Sequence, residues 1–547
     1  MLLGPLLVAT LLLTGSLPSA AASGSAAAED LTLQVSLPDH FSGCDPVGGT
    51  VNPSTLQALS LVLPEAFVTD QDGIVQQAES FLRQAEVQSL NPLVVAYSIL
   101  PNAQWIDGRA IGLSDFVATW HWGARGTGPA ASQYRAIKSI KMGSTRNSVL
   151  VQFATPTSDW RTLFSPLLPS TAPFRSIGSC DSPSSVIDLS GGPYVIVSSS
   201  STEIILIKNP RWWGPPTPFT FVNLGGGSDP VPGQFSGFDS FGLGEVDWLS
   251  TQGLDGLTSA PGVSSEVDLS NQIVSLDFNT SKHGNVPVLV RQALAHLIDR
   301  TAIINETVAP FDTLITPAAS YLLAQGQPDY PSRDASSAAQ SYYPRKSTLS
   351  SSNAMLARRL LERAGYSRSD GNWVDASGDP LSLTMAFPQD DHVATQISEL
   401  VKAQLGKAGI AVKSTGLSSS PDVATALREG RAKLGVIVRP TDGYPAHSAS
   451  WYTKSPGNAV SALWAGYQNK SDNSLAVTAS ENMNPTNALP LYRQLDSQLW
   501  SAVPSLPILT DSTILAWSSS LDGVVNNSYP PGTLSLILTW KVLAPAG

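Results

Sequence analysis

Between Arg439 and Tyr452 the chain reads Arg439-Pro-Thr-Asp-Gly-Tyr-Pro-Ala-His-Ser-Ala-Ser-Trp451-Tyr452, one acid set among aromatic residues. Tyr444, Trp451 and Tyr452 are suited to form the apolar walls of a cleft, the usual construction of a small-molecule pocket. Asp442 is the only acid in the stretch. Followed by Gly443, it also has the composition of a plain turn. His447 stands alone, and a lone histidine is more often a satisfied or surface residue than a metal ligand.

Covalent chemistry finds no such foothold. The sequence lacks a G-x-S-x-G nucleophile elbow, an H-E-x-x-H zinc helix and a G-x-x-x-x-G-K-[ST] phosphate loop. Gly225–Gly227 has no strand-then-helix context and reads as a loop, so no cofactor is expected. Lys413-Ser-Thr-Gly416 has no Ser-x-x-Lys partner, and no two carboxylates are paired for glycoside hydrolysis. With two cysteines and six scattered histidines, no metal site is expected either. The residues favour binding over catalysis, and the chain is expected not to be an enzyme.

The elements that must position this loop are mixed. Runs rich in β-branched residues predict strands over Leu31–Val35, Val94–Ile99, Val149–Phe153, Tyr194–Val197 and Ile204–Ile207. Helical periodicity covers Ser114–Trp122, Val288–Ile304, Ser352–Ala364, Val393–Ala408 and Ala488–Ala502. Ser114 is placed to cap the first of these. Gly365 and Gly409 are natural helix stops. Strand Leu381–Ala386, the helix ending at Ala408 and strand Ile410–Lys413 form a βαβ-like module. The polar stretches Gly225–Pro232 and Tyr330–Ser352 read as linkers. Mixed content without strict βαβ repetition indicates α/β lobes.

A series of short motifs then occurs in one order. It begins with Asn91-Pro-Leu-Val-Val-Ala-Tyr97, Ala103-Gln-Trp-Ile-Asp-Gly108 and Ser114-Asp-Phe-Val-Ala-Thr-Trp120. It continues through Gly192-Pro-Tyr194, Asn209-Pro-Arg-Trp-Trp-Gly214, Gly244-Glu-Val-Asp247 and Leu276-Asp-Phe-Asn-Thr280. Val290-Arg-Gln-Ala-Leu-Ala295 with Asp299-Arg300, Leu361-Glu-Arg-Ala-Gly-Tyr366 and Gly409-Ile-Ala-Val412 complete it. Each motif is weak alone; their order from about Leu31 to Trp540 resembles the family 5 extracytoplasmic solute-binding proteins, the peptide-, nickel- and oligosaccharide-binding subunits of ABC importers. Ala58-Leu-Ser-Leu-Val-Leu-Pro-Glu-Ala-Phe67, Tyr134-Arg-Ala-Ile137, Asp159-Trp-Arg-Thr-Leu-Phe164 and Leu506-Pro-Ile-Leu509 are similar to its actinobacterial LpqW-like branch.

The resemblance implies an α/β, two-lobed periplasmic-binding-protein fold of three domains, with a ligand cleft between the lobes. Domain I would combine residues 29–55, 188–272 and 505–547, domain II would be 56–187, and domain III 273–504. It further implies a small-molecule or peptide ligand and an ABC permease as partner, the protein acting as a monomer. In the peptide binders an aspartate of a domain III loop pairs with the peptide ammonium, and Asp442 is the candidate here. Asn458 and Tyr467 fall where the family often carries an asparagine and a Gly-Tyr pair. For the LpqW-like branch the implied role is instead control of phosphatidylinositol-mannoside and lipoarabinomannan synthesis, through a glycolipid or a membrane glycosyltransferase. Among the motifs, Trp105 before Asp107–Gly108 reads as a buried aromatic ahead of a tight turn. Arg291 and Asp299 are expected on one helix, the arginine holding a strand end or carboxylate.

Composition bounds the rest. Apolar residues make up 42% and charged residues 14% of 547 residues, which suits a folded chain with a real core. A net charge of −11 with no Lys/Arg run disfavours nucleic acid as a partner. The apolar run from Leu2 and the small residues to Ala28 match a signal peptide over 1–28, so the chain is expected to be exported. In an oxidising compartment Cys44 and Cys180 invite one disulfide, with two separate thiols as the alternative.

Overall fold

A computed structural model describes residues 30–43, 45–48, 51–126, 130–172, 190–227, 240–246, 256–257, 259–308, 315–331, 351–441, 444–454 and 466–543. The proposed signal segment, Cys44, Cys180, Asp442 and Asn458 lie outside the described residues.

Two long strands carry the architecture. Val263–Phe278 has 16 residues and Ser505–Ser518 has 14, and they run antiparallel from Val263 opposite Ser518 to Asp277 opposite Ser505. At about 3.3 Å per residue, the longer spans roughly 50 Å, enough to pass from one hydrophobic core into another. Ser240–Val246 pairs with the far end of Ser505–Ser518, and Leu434–Pro440 pairs with Gln272–Phe278. A ten-stranded sheet results, in the order Ala411–Leu417, Ser382–Pro388, Leu434–Pro440, Val263–Phe278, Ser505–Ser518, Ser240–Val246, Thr32–Leu37, Phe221–Gly226, Glu203–Lys208 and Tyr194–Ser199.

Two large cores flank the crossing. The first gathers Leu33, Leu206, Val222 and Leu243 of the sheet with Tyr97, Trp105, Phe116, Trp160 and Phe164. It includes the four-stranded sheet Leu82–Leu90, Leu93–Ile99, Ser148–Phe153 and Ile137–Met142. The second gathers Leu276, Leu383 and Val436 with Ile397, Val401, Leu495, Leu499 and Trp500. Between the cores the register of the crossing strands breaks: Leu269 faces Ser512 but Ile273 faces Thr510. Three residues there oppose one, a bulge that bends and twists the strand where it changes lobe.

Several expected elements form as read. Gly365 and Gly409 end their helices at φ +93 and +80, a region favouring glycine. Ser382–Pro388 and Ala411–Leu417 are parallel neighbours joined through helix His392–Lys407, completing the βαβ module. Trp105 is fully buried, and Gly108 closes the next turn by donating to the Trp105 carbonyl at 2.8 Å with φ +86.

Others differ. Helix Leu113–Arg125 is capped from Gly112, and Ser114 lies within its first turn while the Asp115 carboxylate reaches back to the Gly112 N–H at 3.0 Å. The helix expected over Val288–Ile304 is two: Val288–Leu297, then Arg300–Thr307 with Asp299 as N-cap accepting from Ala302 N at 3.0 Å. Arg291 holds a helix end instead of a strand end, donating to the carbonyls of Ala502 and Val503 at the C-terminus of helix Pro485–Ala502, and also to that of Val286. Gly225 and Gly226 continue strand Phe221–Gly226, since Ser36 and Leu37 pair with them. A Cβ on Gly226 would stand 2.7 Å from the Asp39 carbonyl oxygen, which explains a glycine inside a strand.

Candidate functional site

Where Leu434–Pro440 ends, the chain leaves the sheet beside the bulge and enters the aromatic loop. Its first residue is fixed to the bulge: Thr441 N donates to the Asn271 carbonyl at 2.7 Å, and Asn271 Nδ2 donates back to the Thr441 carbonyl at 2.7 Å. Pro445 then starts the short helix Pro445–Ser450, a position that suits a residue without an N–H. The helix delivers Trp451 and Tyr452 back over the sheet.

These segments line a narrow crevice, too tight in this conformation to admit a water molecule. Tyr321, Trp451 and Tyr452 supply aromatic walls, Ile273 and Pro440 apolar ones, and Arg439, Thr441 and Ser448 polar atoms. Buried arginine is tolerable only when paired. Here Arg439 pairs with the fully buried Asp277 through Nη2 and donates from Nη1 to Ser275 Oγ at 2.7 Å and to Tyr452 Oη at 3.0 Å. Burial alone would lower the Arg439 pKa, but Asp277, with Tyr452 and Tyr321, reverses that and holds it above its ordinary value. Burial pushes the Tyr452 hydroxyl up to about 12, so it stays a neutral donor.

The network reaches both crossing strands. Tyr452 Oη lies 3.1 Å from Ser505 Oγ, and Tyr321 donates to the Ser505 carbonyl at 2.5 Å. The Tyr321 ring stands edge-on to Tyr452 and Trp500, with centroids 5.3 and 4.8 Å away. Behind it the Asp496 carboxylate accepts from Tyr321 N at 2.6 Å and Ser320 Oγ at 3.1 Å. The aromatic wall is thus hydrogen-bonded to both strands that join the lobes.

Of the residues expected at a cleft, Trp451 and Tyr452 line this crevice. Tyr452 is more than an apolar wall, because its hydroxyl is part of the arginine network. Tyr444 does not line the crevice; burial raises the pKa of Tyr97 in the first lobe most, Tyr134 adds to the rise, Arg161 opposes it and Tyr444 adds to it last. His447 is buried, its ring 5.5 Å from that of Trp451, and no metal-binding group of His, Cys, Asp or Glu occurs among the described residues. Tyr467 is buried in the second core, its hydroxyl given to Asp472 at 2.7 Å, and does not line the crevice. Sequence reasoning missed Tyr321, Asp277 and Ser448. A charged pair such as Asp277 with Arg439, 162 residues apart, leaves no local signal.

Comparison with known proteins agrees with this architecture. The profile described as bacterial extracellular solute-binding proteins, family 5, middle, matches residues 78–461. The oligopeptide-binding protein OppA of Mycobacterium tuberculosis is 25% identical over 86% of this chain and 78% of its own length. The probable monoacyl phosphatidylinositol tetramannoside-binding protein LpqW of the same species is 23% identical over 91% of this chain and 90% of its own. Among solved structures, the periplasmic EDTA-binding protein EppA superposes with a TM-score of 0.80 at 17% identity, covering 97% of this chain and 100% of that one. Bacillus subtilis AppA, in complex with a nonapeptide, superposes at 0.71 with 16% identity over 94% and 100%. No helix among the described residues is long and apolar enough to cross a membrane. With the profile covering most of its length, the chain belongs to the family 5 bacterial extracellular solute-binding proteins.

Proposed function

We propose that this chain is the exported binding protein of an ABC importer and captures a peptide or a similar small solute between its lobes. The observation that carries the reading is the match to the family 5 solute-binding profile over residues 78–461, and the aromatic crevice beside Trp451, hydrogen-bonded to both crossing strands, is consistent with it. The crevice lies against the strands that join the lobes, and lobe closure is the motion such proteins use to retain a solute. Asp442, Tyr444, Trp451, Tyr452 and Asn458 are the proposed contacts, Asp442 taking the peptide ammonium. The proposed division is domain I over 29–55, 188–272 and 505–547, domain II over 56–187, and domain III over 273–504, with Cys44 and Cys180 joined. Likeness to an oligopeptide-binding protein and to a nonapeptide complex supports the peptide class.

The likeness to LpqW over 91% of the chain favours a second reading, an envelope protein that regulates phosphatidylinositol-mannoside and lipoarabinomannan synthesis and does not transport. Calorimetric titration with short peptides separates the two. Peptide binding should be saturable, and Asp442→Ala should weaken it by roughly 2–5 kcal/mol, as when one partner of a buried charge pair is lost. Unchanged affinity in that variant would leave Asp442–Gly443 as a plain turn.

A further inference from the structure

The lobes also meet away from the crevice. Helix Lys470–Ser480 belongs to the second core through Ala476 and Ala479. The last turn of any helix leaves carbonyls without donors from its own backbone. Here the Glu481 N–H returns to the Val477 and Ala479 carbonyls, but the Ser480 carbonyl accepts from the backbone N–H of Ser158 at 2.8 Å. Ser158 lies on the first lobe, between Phe153 and Trp160 of the first core. Three residues beyond the helix, Met483 packs its side chain against that same core.

The donor is built in advance. Asp159, 2% exposed, accepts from the side chains of Thr157 and Gln133, and its carbonyl accepts from Thr162 N at 3.0 Å and Thr162 Oγ1 at 2.9 Å. The turn that presents the Ser158 N–H is therefore held by its own lobe, so the hydrogen bond can form and break without refolding either partner. Methionine suits such a contact, since its unbranched side chain adapts to a surface that must also release it.

We propose that Ser158 and Met483 form a latch that holds the lobes closed, a peptide N–H of one lobe capping a helix of the other while a methionine seats on the opposite core. Neither residue lines the crevice beside Trp451. Latch strength shifts the balance of open and closed forms, and with it the apparent affinity for any solute that favours the closed form. It acts without touching the solute.

The Ser158 amide finds its acceptor on the other lobe, so hydrogen exchange at that amide reads lobe opening directly. In the full chain, in buffer without added solute, the latch predicts exchange at least about tenfold slower than for an unprotected amide. Met483→Asp should speed exchange at Ser158 about tenfold, and Met483→Ala about threefold, while amides of Leu93–Ile99 keep their protection. The alanine variant carries the test if aspartate prevents folding. A wild-type Ser158 amide that exchanges without protection overturns the proposal, as does protection that neither Met483 variant alters. No solute takes part, so the outcome is independent of whether peptides bind.

Discussion

One aromatic cluster in each lobe is buried in a different way. In the first, Phe67, Tyr97, Trp160 and Phe164 pack edge to face and Phe116 lies tilted against them, with Tyr97 at 5.4 Å from both Phe116 and Phe164. The Tyr97 hydroxyl is fully buried and has no hydrogen-bond partner among the described residues. In the second, the Tyr321 and Tyr452 hydroxyls are both bonded, and through Ser505 and Arg439 they reach the crossing strands. The first cluster supplies packing; the second ties the crevice wall to the crossing strands.

The largest expected effect comes from breaking the charge pair. Asp277→Ala leaves Arg439 buried without its carboxylate and should cost roughly 3–5 kcal/mol of stability, read from denaturant unfolding. Replacing both partners with apolar residues of similar volume should recover most of that loss. It should not recover solute binding, because the links from Arg439 to Ser275 and Tyr452 are gone as well. A double variant that binds normally would separate the network from the crevice.

A second test falls on the first lobe. Glu65 is 9% exposed, its carboxyl has no hydrogen bond or ion pair among the described residues, and burial raises its pKa from 4.5 to about 8. Because the folded value lies above the unfolded one, the stability this group allows is fully present below about pH 4.5 and is lost as pH rises through about 8. Each pKa unit between the two states corresponds to about 1.4 kcal/mol. Glu65→Gln should flatten thermal stability across that window and match wild type near pH 4.5. Equal pH dependence in both proteins would contradict the burial argument.

The smallest effect compares the tyrosines directly. Tyr452→Phe removes bonded contacts and should cost about 0.5–1.5 kcal/mol for each net hydrogen bond lost. Tyr97→Phe removes an unbonded hydroxyl and should be neutral or stabilising by up to about 1 kcal/mol. The reverse order would mean that the two clusters do not differ as described.

Legibility followed distance along the chain. Helix stops at Gly365 and Gly409 and the turn at Gly108 were readable because glycine at positive φ is a local requirement. The break between the helices ending at Leu297 and beginning at Arg300 was hidden by a continuous apolar pattern, although Asp299 is a good N-cap type. Strand Val263–Phe278 escaped because its first half carries Ser264, Ser265, Glu266 and Asp268, and its partner lies more than two hundred residues away. The aromatic loop was readable by composition. Asp277 and Asn271 were not, since only the sheet brings them to it, nor was Tyr321, which is held there by contacts with Asp496 and Ser505.

The most direct measurement is native mass spectrometry of the mature protein, purified without denaturation from its own organism. The account predicts a mass increment of a peptide or small solute, lost when the protein is unfolded. A glycolipid adduct, or an empty protein that ignores peptide libraries, would contradict solute capture for import and favour the envelope regulator.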